Sequence, residues 1–220
     1  MSARRFAAAI CRPAGLLMLC AALALSTAAF AQDALKAGTD YRVIKQQPAP
    51  HDGKIEVIEF FYYRCPHCYR FETFLVDWLK NPPADVTFKR VPVVWQPSSV
   101  APAQAFYALH ASGQFKKLHE QLFTSYHEGY ALDNGKAVGD WVAKHGGDRK
   151  KFMAAWNSDA VKKQVEQASQ MTRDYEIEGV PSMVVAGRYL TSSGMSKGED
   201  KLIGVVDKLI ALAHQKSAAK

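Results

Sequence analysis

Cysteine is scarce: the 220 residues contain four, Cys11, Cys20, Cys65 and Cys68, with no second Cys-x-x-Cys and no suitably spaced Cys/His pair. A zinc site needs four ligands, so this shortage argues against a metal. Nor do His119-Glu120 and His127-Glu128 give two histidines one helical turn apart, as a zinc protease helix requires. No metal and no bound cofactor is expected. Long runs of one charge are missing too. Lys116-Lys117, Arg149-Lys150-Lys151 and Lys162-Lys163 are scattered among acids on helix-like segments, so no nucleic-acid surface is expected. There is no internal repeat, and low complexity is confined to the tail Ser217-Ala218-Ala219-Lys220.

Acidic residues are absent before Asp33, where Arg4, Arg5 and Arg12 accompany an apolar run from Ala14 to Ala29 and the pattern Ala29-Phe30-Ala31. This predicts a cleavable export signal over residues 1–31, with Gln32 as the new amino terminus. A retained membrane anchor is the alternative, whereas Leu19 before Cys20 speaks against a lipoprotein. Cleavage would remove three arginines and no acid, taking the net charge from +7 to +4, and would remove Cys11 and Cys20. Only Cys65 and Cys68 would then meet an oxidising compartment. A bridge closing so short a loop constrains little of the unfolded chain, so the pair is there for chemistry rather than stability.

The β-branched and aromatic run from Ile55 to Tyr63 predicts a strand buried on both faces. From Pro66 the period changes, with Phe71, Phe74, Leu75, Trp78 and Leu79 at helical spacing until Asn81-Pro82-Pro83. Val86 to Val94 predicts a second strand, completing a right-handed βαβ unit. Five helix-like stretches follow between Ala101 and Tyr175, then strands at Ser182 to Ala186 and Tyr189 to Ser192 with Gly187-Arg188 between them as a hairpin turn, and a helix from Glu199 to about His214. Neither β half completes a sheet alone. The economical arrangement joins a βαβ half and a ββα half in one sheet, with the helical block inserted between them.

Cys65-Pro66-His67-Cys68 therefore sits where a strand turns into a helix. Positions i and i+3 there share one face, close enough for a disulfide. Pro66 suits the first helical turn, leaving unpaired N–H groups and the positive end of the helix near Cys65. His67 adds a donor or a positive charge. Together they lower the pKa of Cys65, stabilise the reduced thiolate and make the couple oxidising. Cys68, one turn inside, is expected to be shielded and to act as resolving thiol.

Glu59-Phe60-Phe61, Cys65-Pro66-His67-Cys68-Tyr69, Phe71-Glu72, Ala154-Ala155-Trp156-Asn157-Ser158 and Gly179-Val180-Pro181 resemble the DsbA family of bacterial periplasmic thiol:disulfide oxidoreductases. The resemblance implies a thioredoxin-like α/β fold with an inserted all-helical domain, divided as 32–95 and 174–220 for the thioredoxin-like parts and 96–173 for the insert. It implies a periplasmic oxidase that donates its Cys65 to Cys68 disulfide to reduced, newly exported proteins and is reoxidised by a DsbB-like quinone-linked membrane protein. It also makes Val180-Pro181 a cis-proline loop facing the active sulfur, with the Val180 backbone pairing with an extended substrate. Family members often carry tryptophan where Phe106 stands, near the substrate groove. Between the second strand and the helical block, Pro92, Pro97 and Pro102 are read as loop-forming by their spacing.

Three charged residues lie in apolar settings: Glu59 in the first strand, Lys89 in the second, and Glu72 one turn beyond Cys68. A buried carboxylate needs a partner or a proton. The functional reading pairs Glu59 with Lys89 to tune proton movement at Cys68, with Glu72 assisting; the alternatives are a structural ion pair and, for Glu72, a solvent-facing charge. The other histidines, His51, His110, His119, His127, His145 and His214, show no constellation and read as surface or core positions. Two other functions compete. An isomerase or reductase of the DsbC or DsbG type needs an amino-terminal dimerisation domain, for which the segment from Gln32 to Ile55 is too short, so a monomer is expected. A peptide-binding chaperone with an incidental cysteine pair is the other.

Overall fold

The structure, a computed structural model, describes residues 34–45, 47 and 53–218. The expected signal, residues 1–31, lies outside the described residues. Among the described residues no helix is long and apolar enough to cross a membrane.

Five strands form one sheet: β1 (Arg42–Val43), β2 (Ile55–Phe61), β3 (Val86–Pro92), β4 (Ser182–Val185) and β5 (Tyr189–Ser192), in the order β1-β5-β4-β2-β3. Only β2 and β3 run parallel; the other pairs are antiparallel. Between β2 and β3 lies helix α1 (Pro66–Trp78), the βαβ unit expected from the sequence. Between β3 and β4 the chain forms five helices: α2 (Val100–Ala111), α3 (Phe115–His127), α4 (Gly135–Lys144), α5 (Arg149–Asn157) and α6 (Asp159–Asp174). After β5 come a single turn, α7 (Ser193–Ser196), and the long α8 (Glu199–Ala218), which packs on α1, β4 and β5. The fold is the expected one, a sheet assembled from two separated halves with a helical insert between β3 and β4.

Strand β2 holds the molecule together because its two faces enter two cores. Ile58 and Phe60 point to one side, with Val91, Val93, Val184, Tyr175 and Ile177. Phe61 points to the other, where it joins Tyr63, Cys68 and the apolar faces of the helical insert. This two-sided burial is why the sequence of β2 shows no polar alternation. The insert begins with Pro97–Ser99 as a single 3-10 turn, and Pro102 falls in the first turn of α2 rather than in a loop, where its missing N–H removes no helical bond. At its other end, Ala168 of α6 packs in the sheet's own core, so the last helix of the insert is shared with the sheet.

The starts of the last three insert helices are fixed by side-chain caps: Asn134, Asp148 and Ser158 accept from the N–H groups of Ala137, Lys151 and Val161, each contributing about 1 kcal/mol. The β4–β5 turn differs from expectation. The left-handed positions are Ala186 (φ 53) and Gly187 (φ 62), not Gly187 and Arg188. Two successive positive φ values match the right-handed twist of a tight hairpin, and alanine occupies the position that a glycine or asparagine would take at less cost.

Candidate redox site

Helix α1 buries Cys68, Phe71, Glu72 and Leu75, a stripe at spacings of three and four. Cys65 is its N-cap, in extended conformation, followed by Pro66 at the first helical position, and the first turn has no acidic side chain to offset the positive helix end. The motif thus acquires two unlike sulfurs. Cys65 is half-buried and Cys68 fully buried, and both are free thiols.

The pKa of Cys65 is lowered to about 6, first by the hydrogen bond from the Cys68 thiol, then by the N–H groups of Cys68 and His67 and the charge of His67, against an opposing effect of partial burial. Burial pushes Cys68 the other way, well above its usual value, and the hydrogen bond to Cys65 and the charges of Cys65 and Glu59 add to this. As a thiol, Cys65 donates to the carbonyl oxygen of Val180 at 3.4 Å. The Val180-Pro181 bond is cis. A residue more than a hundred positions away therefore places a backbone acceptor against the Cys65 sulfur. His67 lies on the exposed side, where its Nδ1 is 2.6 Å from Glu199 Oε1, and Arg70 donates to the same carboxylate at 2.9 Å.

On the buried side, Lys89 does not do what was expected of it. The parallel register sets Ile58 against Lys89 and Glu59 against Arg90. Successive strand residues point to opposite faces, so Lys89 is exposed, its ammonium 3.8 Å from Met171 Sδ, and the partner of Glu59 is Arg90, whose Nε lies 3.3 Å from Glu59 Oε2. That approach is not aligned for a hydrogen bond; both oxygens of Glu59 are buried without a hydrogen-bond partner among the described residues. Burial raises its pKa to about 8, with Arg90 opposing and Glu72 reinforcing the rise, so Glu59 is largely protonated at neutral pH.

Glu72 is not a solvent-facing charge either. It is buried, and Arg90 donates to both its oxygens, at 2.8 and 2.9 Å. Burial acts to raise its pKa, but His119 and Arg90 outweigh that and hold it at about 2. Two carboxyl groups thus share one guanidinium, one ionised and one carrying the proton. His119 completes the group: Arg90 Nη1 is in hydrogen-bond contact with its Nε2, Glu72 Oε1 lies 3.5 Å from the same nitrogen, and Tyr63 Oη lies 2.7 Å from its Nδ1.

Arg90, Tyr63, His119 and Glu199 were not singled out from the sequence. For His119 a signal existed, since Phe115, Leu118, Leu122, Phe123 and Tyr126 surround it on the apolar face of α3. For Arg90 only the strand register decides. Phe106 is buried against Phe61 and lines a cleft with Arg90 and His119.

A profile of the DSBA-like thioredoxin domain matches residues 84–209. The thiol:disulfide interchange protein DsbA of Burkholderia cepacia is 37% identical over 204 residues, which cover 91% of this chain and 96% of that one. The protein of the same name from Pseudomonas aeruginosa is 36% identical over 205 residues, 92% and 96% of the two chains. The crystal structure of Pseudomonas aeruginosa DsbA superposes with a TM-score of 0.80 at 34% identity, covering 86% of this chain and all but 1% of its own, 99%.

Proposed function

The chain belongs to the DsbA family of thiol:disulfide oxidoreductases, and on that premise we propose that it is a disulfide donor, passing the Cys65–Cys68 disulfide to reduced proteins newly exported to the periplasm. The observation that carries this reading is the opposed tuning of the two sulfurs: Cys65 lowered to about 6 and Cys68 raised well above its usual value. A couple whose reduced form is stabilised as a thiolate gives its disulfide away.

A substrate thiolate attacks Cys65 Sγ, forming a mixed disulfide and breaking the bond to Cys68, whose sulfur leaves with the electron pair. Cys68 cannot hold that charge in its buried site and takes a proton; the protonated Glu59 is the acid at hand. The substrate's second thiolate then attacks its own sulfur in the mixed disulfide, and Cys65 departs as a thiolate stabilised by the helix start and His67. The Val180 backbone beside Cys65 aligns the extended substrate, while Pro181 offers no competing N–H. A DsbB-like quinone-linked membrane protein returns the disulfide by the reverse flow of electrons. In this scheme segments 32–95 and 174–220 supply the redox chemistry, and segment 96–173 packs against Phe61, Tyr63 and Cys68.

Cys65→Ala is expected to abolish disulfide transfer to a reduced unfolded protein, and Cys68→Ala to trap mixed disulfides that run as covalent adducts on non-reducing gels. Full transfer by Cys65→Ala would overturn the proposal. Mass in solution separates the isomerase reading: the disulfide donor is expected to be a monomer.

A further inference from the structure

Disulfide donation needs the backbone at Val180 presented to an extended substrate, yet Val180 lies in a loop, residues 175–181, between α6 and β4. A loop that must be ordered on binding weakens affinity, and one already fixed does not. This loop is fixed by side chains from elsewhere. Arg42 Nη2 donates to the carbonyl oxygen of Glu176 at 2.8 Å, Trp95 Nε1 to that of Ile177 at 3.0 Å, and Ser182 Oγ to that of Gly179 at 2.7 Å. Gln47 Nε2 donates to the carbonyl oxygen of Asp174, the last residue of α6, at 2.8 Å.

Both distant anchors are themselves held. Arg42 lies on β1 opposite Leu190 of β5, and Ile44, two residues on, is buried in the sheet's core. Trp95 follows β3, where its backbone N–H donates to Ser99 Oγ at 3.2 Å; with 46% of its surface exposed, the indole is placed by its N–H bond more than by burial. Glu176 shows what the anchors hold in place. It stands just past α6 at φ 54, where glycine is the usual residue, and Ile177 N–H turns back to the carbonyl oxygen of Thr172 at 3.0 Å. An L side chain is strained there. Its carboxylate is tied to the same segment as its carbonyl: Lys45 N–H donates to Oε1 at 3.5 Å, and Arg42 Nη1 lies 3.6 Å from Oε2 and 3.6 Å from Glu178 Oε1.

What remains unpaired among the described residues is the N–H and carbonyl of Glu178 and the N–H of Val180, on a stretch where Glu178 is exposed and Val180 half-buried. The Val180 carbonyl faces the Cys65 thiol. Unpaired backbone groups on a fixed segment are what an added strand binds. We infer that Arg42 and Trp95 are positioning residues for disulfide transfer: they hold the loop so that a substrate strand adds along Glu178 and Val180 beside Cys65. The inference deepens the disulfide-donor reading and rests on it. Neither residue touches the sulfurs, so their contribution is confined to substrates that have a backbone to pair.

The test compares two reductants of the oxidised protein: a reduced cysteine peptide, which can pair as a strand, and dithiothreitol, which cannot. Both attack Cys65. Trp95→Phe, which keeps a ring and loses the N–H, and Arg42→Met are each expected to slow transfer to the peptide, and the double variant to slow it roughly tenfold or more. The loss should appear as weaker saturation by peptide, with the rate at saturation kept. The rate with dithiothreitol and the Cys65 thiolate midpoint, about 6, should stay as in the parent. Unaltered transfer to the peptide by the double variant, or equal slowing with peptide and dithiothreitol, would overturn the inference. Should the double variant not fold, the same two rates in Trp95→Phe decide alone. Failure of the donor reading itself would appear in the parent, as transfer to the peptide no faster than Cys65→Ala gives.

Discussion

Cys65 and Cys68 are one helical turn apart, yet the regions that control them are built in different ways. Around Cys65 the tuning groups are close in sequence: the Cys68 thiol, the N–H groups of His67 and Cys68, and the His67 side chain. Beneath Cys68 burial dominates and Glu59 adds to it, within a polar group drawn from β2, the loop after it, α1, β3 and α3: Glu59, Tyr63, Glu72, Arg90 and His119. The outer region lowers a pKa by hydrogen bonding in partial contact with water. The inner one holds a carboxyl group neutral by removing it from water. A redox pair needs both, because a leaving thiolate must be stable at one sulfur and short-lived at the other.

The largest expected effect separates the regions by their response to losing one charge. Arg90→Met removes the guanidinium from the buried, ionised Glu72 and leaves only His119 beside it, which should cost about 3–5 kcal/mol of folding stability in denaturant unfolding. Adding Glu72→Gln should recover much of this. Lys89→Met, one residue away on the opposite face, should stay within about 0.5 kcal/mol. Equal losses at 89 and 90 would break the distinction between a buried hub and an exposed neighbour.

This contrast also explains what the sequence could and could not tell. The redox motif, its strand-to-helix placement and the two-part sheet were legible because each depends on local periodicity and turn chemistry: the Ile55 run, the Pro66 start, the stripe through Phe71 and Leu75. The partner of Glu59 was not. Choosing between Lys89 and Arg90 requires knowing that Glu59 lies opposite position 90, a register set by pairing between separate strands. His119 was missed for a related reason, since its apolar helical face looks like ordinary core until Glu72 and Tyr63 are brought against it. The turn at Ala186 escaped because alanine seldom takes a left-handed conformation.

A smaller effect sharpens the inner region. The Glu59 carboxyl group titrates at about 8 instead of the usual 4.5. Between those pH values the folded protein keeps a proton that the unfolded chain has lost, so Glu59 makes stability fall as pH rises, with a slope approaching about 1.4 kcal/mol per pH unit. Glu59→Gln should remove that slope, as seen in unfolding curves collected from mildly acidic to mildly alkaline pH. An unchanged slope would mean that Glu59 is ionised in the fold and is not the acid that protonates Cys68.

The smallest effect belongs to the outer region, at Glu199. Its carboxylate meets both His67 and Arg70, and the hydrogen bond from His67 lowers its own pKa. The two partners are more than half exposed, with side-chain exposures of 56% and 54%, so water screens the pair and Glu199→Gln should change stability by less than about 1 kcal/mol. The Cys65 titration, followed by thiolate absorbance, should keep a midpoint near 6, because its main supports are the Cys68 thiol and the helix-start N–H groups. The sign is also fixed. A depressed folded pKa stabilises the reduced protein fully above the usual thiol value of 9.0 and loses that contribution as pH falls through about 6. The stability advantage of the reduced over the oxidised form should therefore shrink on acidification, in the variant as in the parent. A large displacement of the midpoint by Glu199→Gln would show that the exposed face, too, is governed at a distance, through the first turn of α8.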